Sequence, residues 1–284
     1  MQEHHQHYGD AAQEIDARAA RKRCSHSTNL HPGKYPTLQP WITCSYFDRM
    51  WRTITLPCFA LGLCATVLGQ SLRTTFTPLV PGVEVHTSYQ VYGGAPFPSN
   101  GLIVHTRDSV VLIDTGWGLK ATRQVLKHLN GKPVAACIST HFHADRTGGI
   151  PVLRKKGIPC WGTAYTRELA IAHGEAPPDA RLPNDTMFTI DGARFTVFYP
   201  GAGHAPDNIV VWLPDLQVLH GGCFVKSTEA GTLGNIADAD LTSWPLAIDR
   251  VQQRFPLAKH VIPGHQAWGG PELLDHTLQL LRAK

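Results

Sequence analysis

Apolar and polar positions follow two rhythms along the chain. Residues 83–91 and 101–105 have the makeup of strands, and 110–113 and 133–138 are short apolar runs that read as buried strands. Between them, Leu119, Val125, Leu126 and Leu129 form a helical stripe that ends at Asn130-Gly131. Residues 151–156 read as a short helix, 158–162 as a strand and 164–173 as a helix. The second half repeats the scheme, with strands at 188–190, 195–199, 209–213 and 218–220. Trp244, Ile248, Val251 and Phe255 then fall at helical spacing, with Pro245 suited to a first turn. A strand at 260–262 and a helix marked by Leu274, Leu278 and Leu281 close the chain.

Strand clusters flanked by helices, twice over, predict an α/β chain in which two sheets pack face to face with helices outside. Residues 92–100, rich in glycine and proline and carrying aromatics, are expected to form a mobile flap. No linker-like stretch divides residues 70–284, which read as one catalytic domain.

The first 49 residues are polar, with His4, His5 and His7 close together and no sustained period. Met50-Trp51-Arg52 then leads into an apolar stretch with small residues near Val67 and Gly69, the layout of a secretory signal. That stretch is too short, and too broken by Pro57, for a membrane span. The reading is a start at Met50, a signal peptide over 50–69 and a mature protein in the periplasm. Residues 1–49 are then upstream sequence or a disordered segment, the competing reading being a His-rich metal-gathering tail. Cys64 raises the question of a lipid anchor, but Leu63 before it is larger than such a site favours.

Composition narrows the picture only a little. The net charge of +4 is small and scattered, so no nucleic-acid partner is expected. After export the thiols would be Cys137, Cys160 and Cys223, an odd number for an oxidising compartment. An unpaired thiol there is easier to understand if a metal holds it.

The chemistry concentrates in His141-Phe142-His143-Ala144-Asp145-Arg146-Thr147-Gly148-Gly149, directly after an apolar strand. Imidazoles and a carboxylate are good zinc ligands, and the glycine pair lets the backbone fold around them. Three further metal-type side chains follow strands beside glycine: His204 after Gly203, Cys223 after Gly222, and His265 after Gly264. Six such side chains suit two zinc ions with an open position between them. A three-His site matches a known catalytic pattern, and carboxylate, thiolate and imidazole make a softer second site.

With these six in place the chain resembles the metallo-β-lactamases, in the subclass whose sites are three His and Asp-Cys-His. The similarity runs from about Val83 to the end and includes Asp114-Thr115-Gly116, the His141 motif, Gly203-His204, Gly222-Cys223 and Pro263-Gly264-His265. It implies an αββα sandwich, two face-packed mixed sheets with external helices and zinc at one edge. It implies two Zn2+ ions, the first on His141, His143 and His204, the second on Asp145, Cys223 and His265. It implies a monomer that hydrolyses β-lactams (penicillins, cephalosporins, carbapenems) and so confers antibiotic resistance, with no stable membrane association after export. Asp145 would orient the attacking water, Lys226 pair with the substrate carboxylate, and Asn235 help position the lactam carbonyl. Phe97, Trp117 and Tyr89 are candidate apolar walls, and Asp114 is expected to orient a ligand His.

Two departures from the wider superfamily sharpen the reading. Arg146 stands where His often follows the motif's Asp, and Cys223 stands where a bridging Asp often sits. Arg146 is expected either to tether the second site or only to order its loop. Both departures argue against an ester, thioester or lactone hydrolase. A non-catalytic zinc-binding protein, the remaining alternative, has no use for Lys226 and Asn235. His220 reads as an ordinary core or surface residue.

Overall fold

The computed structural model describes residues 72–284, so the expectations for the 50–69 signal and for residues 1–49 lie outside the described residues. The first sheet opens with β1 (Thr75–Val80), β2 (Val83–Tyr92), β3 (Ala95–His105) and β4 (Val110–Ile113), successive antiparallel neighbours. Helix α1 (Leu119–His128) crosses to β5 (Val134–Ile138), which pairs parallel with β4. Two short helices follow, α2 (Ala144–Thr147) and α3 (Ile150–Lys155), then β6 (Cys160–Gly162), α4 (Ala164–Ala172) and β7 (Asp179–Ala180). The seven strands lie in sequence order.

The second sheet has β8 (Asp185–Ile190), β9 (Ala193–Phe198), β10 (Val210–Leu213) and β11 (Val218–Gly222) as antiparallel neighbours. Helix α5 (Trp244–Arg254) leads to β12 (His260–Pro263), parallel to β11, and α6 (Glu272–Arg282) ends the chain.

Covering both faces of each sheet explains why the central strands lack alternation. In β4, Val111 and Ile113 join Leu102, Ile138, Val197, Val211 and Ile262 in the core between the sheets. Val110 and Leu112 point the other way, onto Val125 of α1 and Ile150 and Leu153 of α3. The second sheet repeats this: Val210, Trp212, Leu219 and Val261 back onto Trp244, Ile248 and Val251 of α5 and Leu274 and Leu278 of α6. The layers are helix, sheet, sheet, helix, as the sequence pattern leads one to expect. Strand β1 escapes the pattern because it is an edge strand, half-exposed and interrupted by Pro78.

The expected flap takes a different form. Residues 92–100 are not a loop: β2 and β3 stay paired out to Tyr92 and Ala95 and turn on Gly93-Gly94 alone. Both glycines have positive φ, 58° and 82°, as a two-residue hairpin turn with right-handed strand twist requires. Composition marks those residues as irregular, but the prolines at 96 and 98 are accommodated within the paired strand.

Among the buried polar groups of the described residues left without a partner, Asp207 is the one carboxylate. Asp207, in the loop between β9 and β10, is 1% exposed, and neither carboxylate oxygen meets a donor in hydrogen-bond geometry. Burial raises its carboxyl to about 7, offset only in part by the nearby Thr166 hydroxyl and Phe142 N–H. The folded state therefore keeps a proton that the unfolded chain loses near pH 4, and stability falls as pH rises from about 4 to 7. A shift of this size corresponds to a penalty of up to about 4 kcal/mol above pH 7. Asp207→Asn is expected to leave the melting temperature unchanged near pH 4 and raise it at pH 8. A uniform loss of stability at both pH values would contradict this account.

Candidate metal centre

The six metal-type side chains sit on segments that leave strand ends along one edge of the sandwich, five on loops and Asp145 in the short helix α2. His141, His143 and Asp145 follow β5, His204 follows β9, Cys223 follows β11 and His265 follows β12. The structure brings all six together in two adjoining triads. In the first, Nδ1 of His143 lies 3.1 Å from Nε2 of His141 and 3.2 Å from Nε2 of His204. In the second, Sγ of Cys223 lies 3.3 Å from Oδ2 of Asp145 and 3.1 Å from Nε2 of His265, which is 3.3 Å from the same oxygen. His141 belongs near both, its ligand atom within 4.8 Å of those of Asp145 and Cys223 as well.

The donor set fits zinc. Ligands held tetrahedrally about zinc at normal bond lengths lie roughly 3.3–3.6 Å apart, and the distances here are only slightly shorter. Two of the imidazoles, those of His143 and His265, are also set in the right tautomer from behind. Nε2 of His143 faces Oδ2 of Asp238 at 3.0 Å, so its proton goes to the carboxylate and Nδ1 turns a lone pair inward. Nδ1 of His265 donates to the Pro98 carbonyl at 2.6 Å, leaving Nε2 for the centre. Burial lowers His141 and His204 well below the ordinary imidazole range, with the Lys226 charge adding to the effect at His204. Both are therefore neutral and available as ligands at neutral pH.

The second triad carries charge. Burial alone would raise the Asp145 carboxyl, but the Arg146 guanidinium, helped by His265, holds it well below the usual carboxylate range. Burial alone would lower His265, but Cys223 and Asp145 bring it to about 9. A metal held there would take the place of a proton on His265.

Arg146 both tethers the second site and orders the surrounding loops. It is fully buried. Its Nη2 donates to Asp145 at 2.9 Å, to Cys223 Sγ at 3.0 Å and to the Gly264 carbonyl at 2.9 Å. Its Nη1 donates to the Asn100 carbonyl and, at 3.2 Å, to Asp114. Only glycine fits at 264: a Cβ there would lie 2.6 Å from Cys223 Sγ and 2.7 Å from Nη2 of Arg146.

Asp114 is placed by an unusual backbone, φ +62° directly after β4. Its carboxylate accepts from the Thr140 N–H at 2.8 Å and the Thr140 hydroxyl at 2.9 Å, and faces Nε2 of His220 at 2.9 Å. It thus holds the residue before His141 rather than a ligand His directly. His220, read from sequence as an ordinary residue, is buried here and packs its ring against that carboxylate. Asn100 and Asp238 also escaped the sequence reading. The Asn100 side chain donates to the Pro263 and Gln266 carbonyls at 3.1 and 2.8 Å, pinning β3 to the His265 loop. The Ser99-Asn100-Gly101 stretch contains no metal-type side chain, and Asp238 and Asp240, though two apart, follow no apolar strand and sit beside no glycine.

A pocket of about 350 Å³ opens over the two triads. Phe97, Trp117, Lys226 and Asn235 all line it, as do His143, Asp145, His204 and His265. Tyr89 does not, and Tyr92 at the hairpin tip takes the place expected for it. Lys226 is buried with its ammonium 5.3 Å from the Trp244 ring centroid, and burial lowers its pKa. Asn235 accepts from the Ala237 N–H at 3.1 Å in a turn that leaves its amide at the pocket wall. Cys137 and Cys160 lie away from the centre as free thiols, buried and facing each other across β5 and β6.

Comparison with known proteins places this arrangement in context. Residues 94–266 match the model of the Metallo-beta-lactamase superfamily. A metallo-beta-lactamase type 2 from Bacillus sp. (strain 170) is 42% identical over 211 residues, 73% of this chain and 82% of the relative. One of the same description from Bacteroides fragilis is 37% identical over 195 residues, covering 68% and 78%. Among solved structures, a metallo-beta-lactamase from Pontibacter korlensis superposes with a TM-score of 0.73 at 45% identity, over 75% of this chain and all of that one. FIM-1 from Pseudomonas aeruginosa, solved in a mono-zinc form, gives 0.70 at 36%, over 75% and 96%.

Removing the buried guanidinium strands Asp145, Asp114 and Cys223 without a counter-charge. Arg146→Ala is therefore expected to cost about 3–5 kcal/mol in the metal-free protein. Denaturant unfolding in the presence of a chelator measures it, and a loss below about 1 kcal/mol would refute the role assigned to the residue.

Proposed function

The chain belongs to the metallo-beta-lactamase superfamily and hydrolyses β-lactams with zinc, and we propose that it does so with two ions held side by side. Opening the lactam inactivates the antibiotic, so the activity confers resistance. The observation that carries the two-ion reading is the pair of triads: three imidazoles on one side, and carboxylate, thiol and imidazole on the other. In this proposal His141, His143 and His204 hold the first ion and Asp145, Cys223 and His265 the second.

Zinc, when bound, supplies Lewis acidity toward a carbonyl oxygen and brings the pKa of water down to about 7. The remaining work falls to side chains. Asp145 stays ionised because of Arg146, so its carboxylate can accept a hydrogen bond from the attacking water and orient it. The Asn235 amide donates toward the lactam carbonyl as charge develops there. Lys226 presents a cation to the substrate carboxylate from the pocket floor, and its partial desolvation strengthens that contact. Phe97 and Trp117 wall the pocket and exclude water around the reacting amide. No covalent enzyme intermediate is needed.

The pocket, about 350 Å³ with a largely apolar wall, supports acceptance of penicillins, cephalosporins and carbapenems alike. The signal-like 50–69 stretch supports export to the periplasm, with the mature chain working as a monomer. Cys223 and Arg146 at their positions favour a lactam over an ester, thioester or lactone.

Purified protein is expected to turn over one member of each β-lactam class, to lose that activity to a chelator, and to turn over a thioester far more slowly. Faster turnover of the thioester, or none of any lactam with zinc fully loaded, would refute the proposal. Cys223→Ser should bind about one zinc fewer by metal analysis and lose most activity; full activity with two ions would remove Cys223 from the ligand set. Lys226→Ala should raise KM about tenfold to a hundredfold, the worth of one charge-assisted hydrogen bond. An unchanged KM would place the substrate carboxylate elsewhere.

A further inference from the structure

The small net charge conceals an uneven distribution. Between Thr115 and Arg167 the only acidic residue is Asp145, and it is buried against Arg146. Helices α1 and α3, which together cover the outer face of the first sheet, both fall within that stretch. Neither helix contains an Asp or Glu. The expectation of scattered charge, made along the chain, gives way here to a basic face in space.

A groove of about 700 Å³ runs between these two helices. Its apolar lining comes from Leu119, Leu126, Pro151 and Val152, with Leu119 44% exposed. Its rim carries Arg123, Lys127, Lys155 and Lys156, all exposed. None of these four cations has a carboxylate within 4 Å among the described residues. The acids that do reach these helices are already paired, Glu84 with His128 and Asp179 with Arg154. None of the groove's residues lines the metal pocket.

We propose that the α1–α3 face docks reversibly on an anionic phospholipid surface. Unpaired Lys and Arg around an exposed apolar strip is the arrangement that seats an amphipathic surface at the boundary of headgroups and acyl chains. The cations meet lipid phosphates, and Leu119 and Leu126 meet the upper part of the acyl layer. A groove for single-stranded nucleic acid would offer aromatic rings for base stacking, and this one has none. Each basic residue near an anionic surface contributes about fivefold to partitioning, so four together suffice for salt-reversible docking. That is weaker than a stable anchor.

The test uses the full chain with sedimentable vesicles of phosphatidylglycerol and phosphatidylcholine, or of phosphatidylcholine alone. The comparison is with a variant carrying Arg123→Gln, Lys127→Gln, Lys155→Gln and Lys156→Gln together. Both proteins share the same N-terminal residues, so the difference between them isolates the α1–α3 face. The wild type is expected to partition to the anionic vesicles at least tenfold more than the variant. That preference should fall as salt is raised from 50 to 300 mM, while β-lactam hydrolysis in solution stays the same for both. Equal partitioning of variant and wild type, or equal binding of the wild type to the two vesicle types, would overturn the proposal. So would tighter binding of duplex DNA or of a poly-glutamate peptide than of anionic vesicles at the same salt.

Discussion

The buried Arg146 guanidinium is the contact on which the rest of the centre depends. Of its five polar partners, Asn100 belongs to β3 of the first sheet, while Asp114, Asp145, Cys223 and Gly264 lie on segments that follow strands of both sheets. An uncompensated charge at that depth would be prohibitive, so Asp114, Asp145 and Cys223 must gather around it. The same geometry brings Asp145 and Cys223 within 3.3 Å of each other before any metal arrives. Part of the cost of assembling a thiol beside a carboxylate is thus met by folding.

Behind the ligands lies a second tier that fixes directions rather than charges. Asp238 sets the proton on His143, Pro98 sets the proton on His265, and Asp114 holds Thr140 next to His141. These three partners come from three separate stretches of chain. The rigidity of the centre is therefore a property of the packed sandwich and not of the His141 motif alone.

Much of this was legible in the sequence. Apolar runs without alternation at 110–113 and 133–138 announced strands covered on both sides, and layers of helix on sheet follow from them. The six donors were visible because each follows a strand and sits beside glycine or in a spaced motif. What stayed hidden depends on register and on distance in space. Asn100 and His220 work through partners 163 and 106 positions away, and no local pattern encodes such pairings. The residues around the hairpin tip look like a loop by composition, yet cross-strand pairing decides the matter and composition does not report it. The basic face escaped for a similar reason, since α1 and α3 each carry an ordinary number of cations and only their packing combines them.

The β2–β3 hairpin joins two jobs on one peptide. Phe97 lines the pocket while the carbonyl of the next residue, Pro98, holds the His265 ring. A torsion that swings the aromatic ring toward a bound molecule also rotates the neighbouring carbonyl and with it the axis of the imidazole. The arm that lines the pocket is in this sense geared to the ligand shell, and a substitution that shifts the Phe97–Pro98 backbone would be read out at the His265 ring.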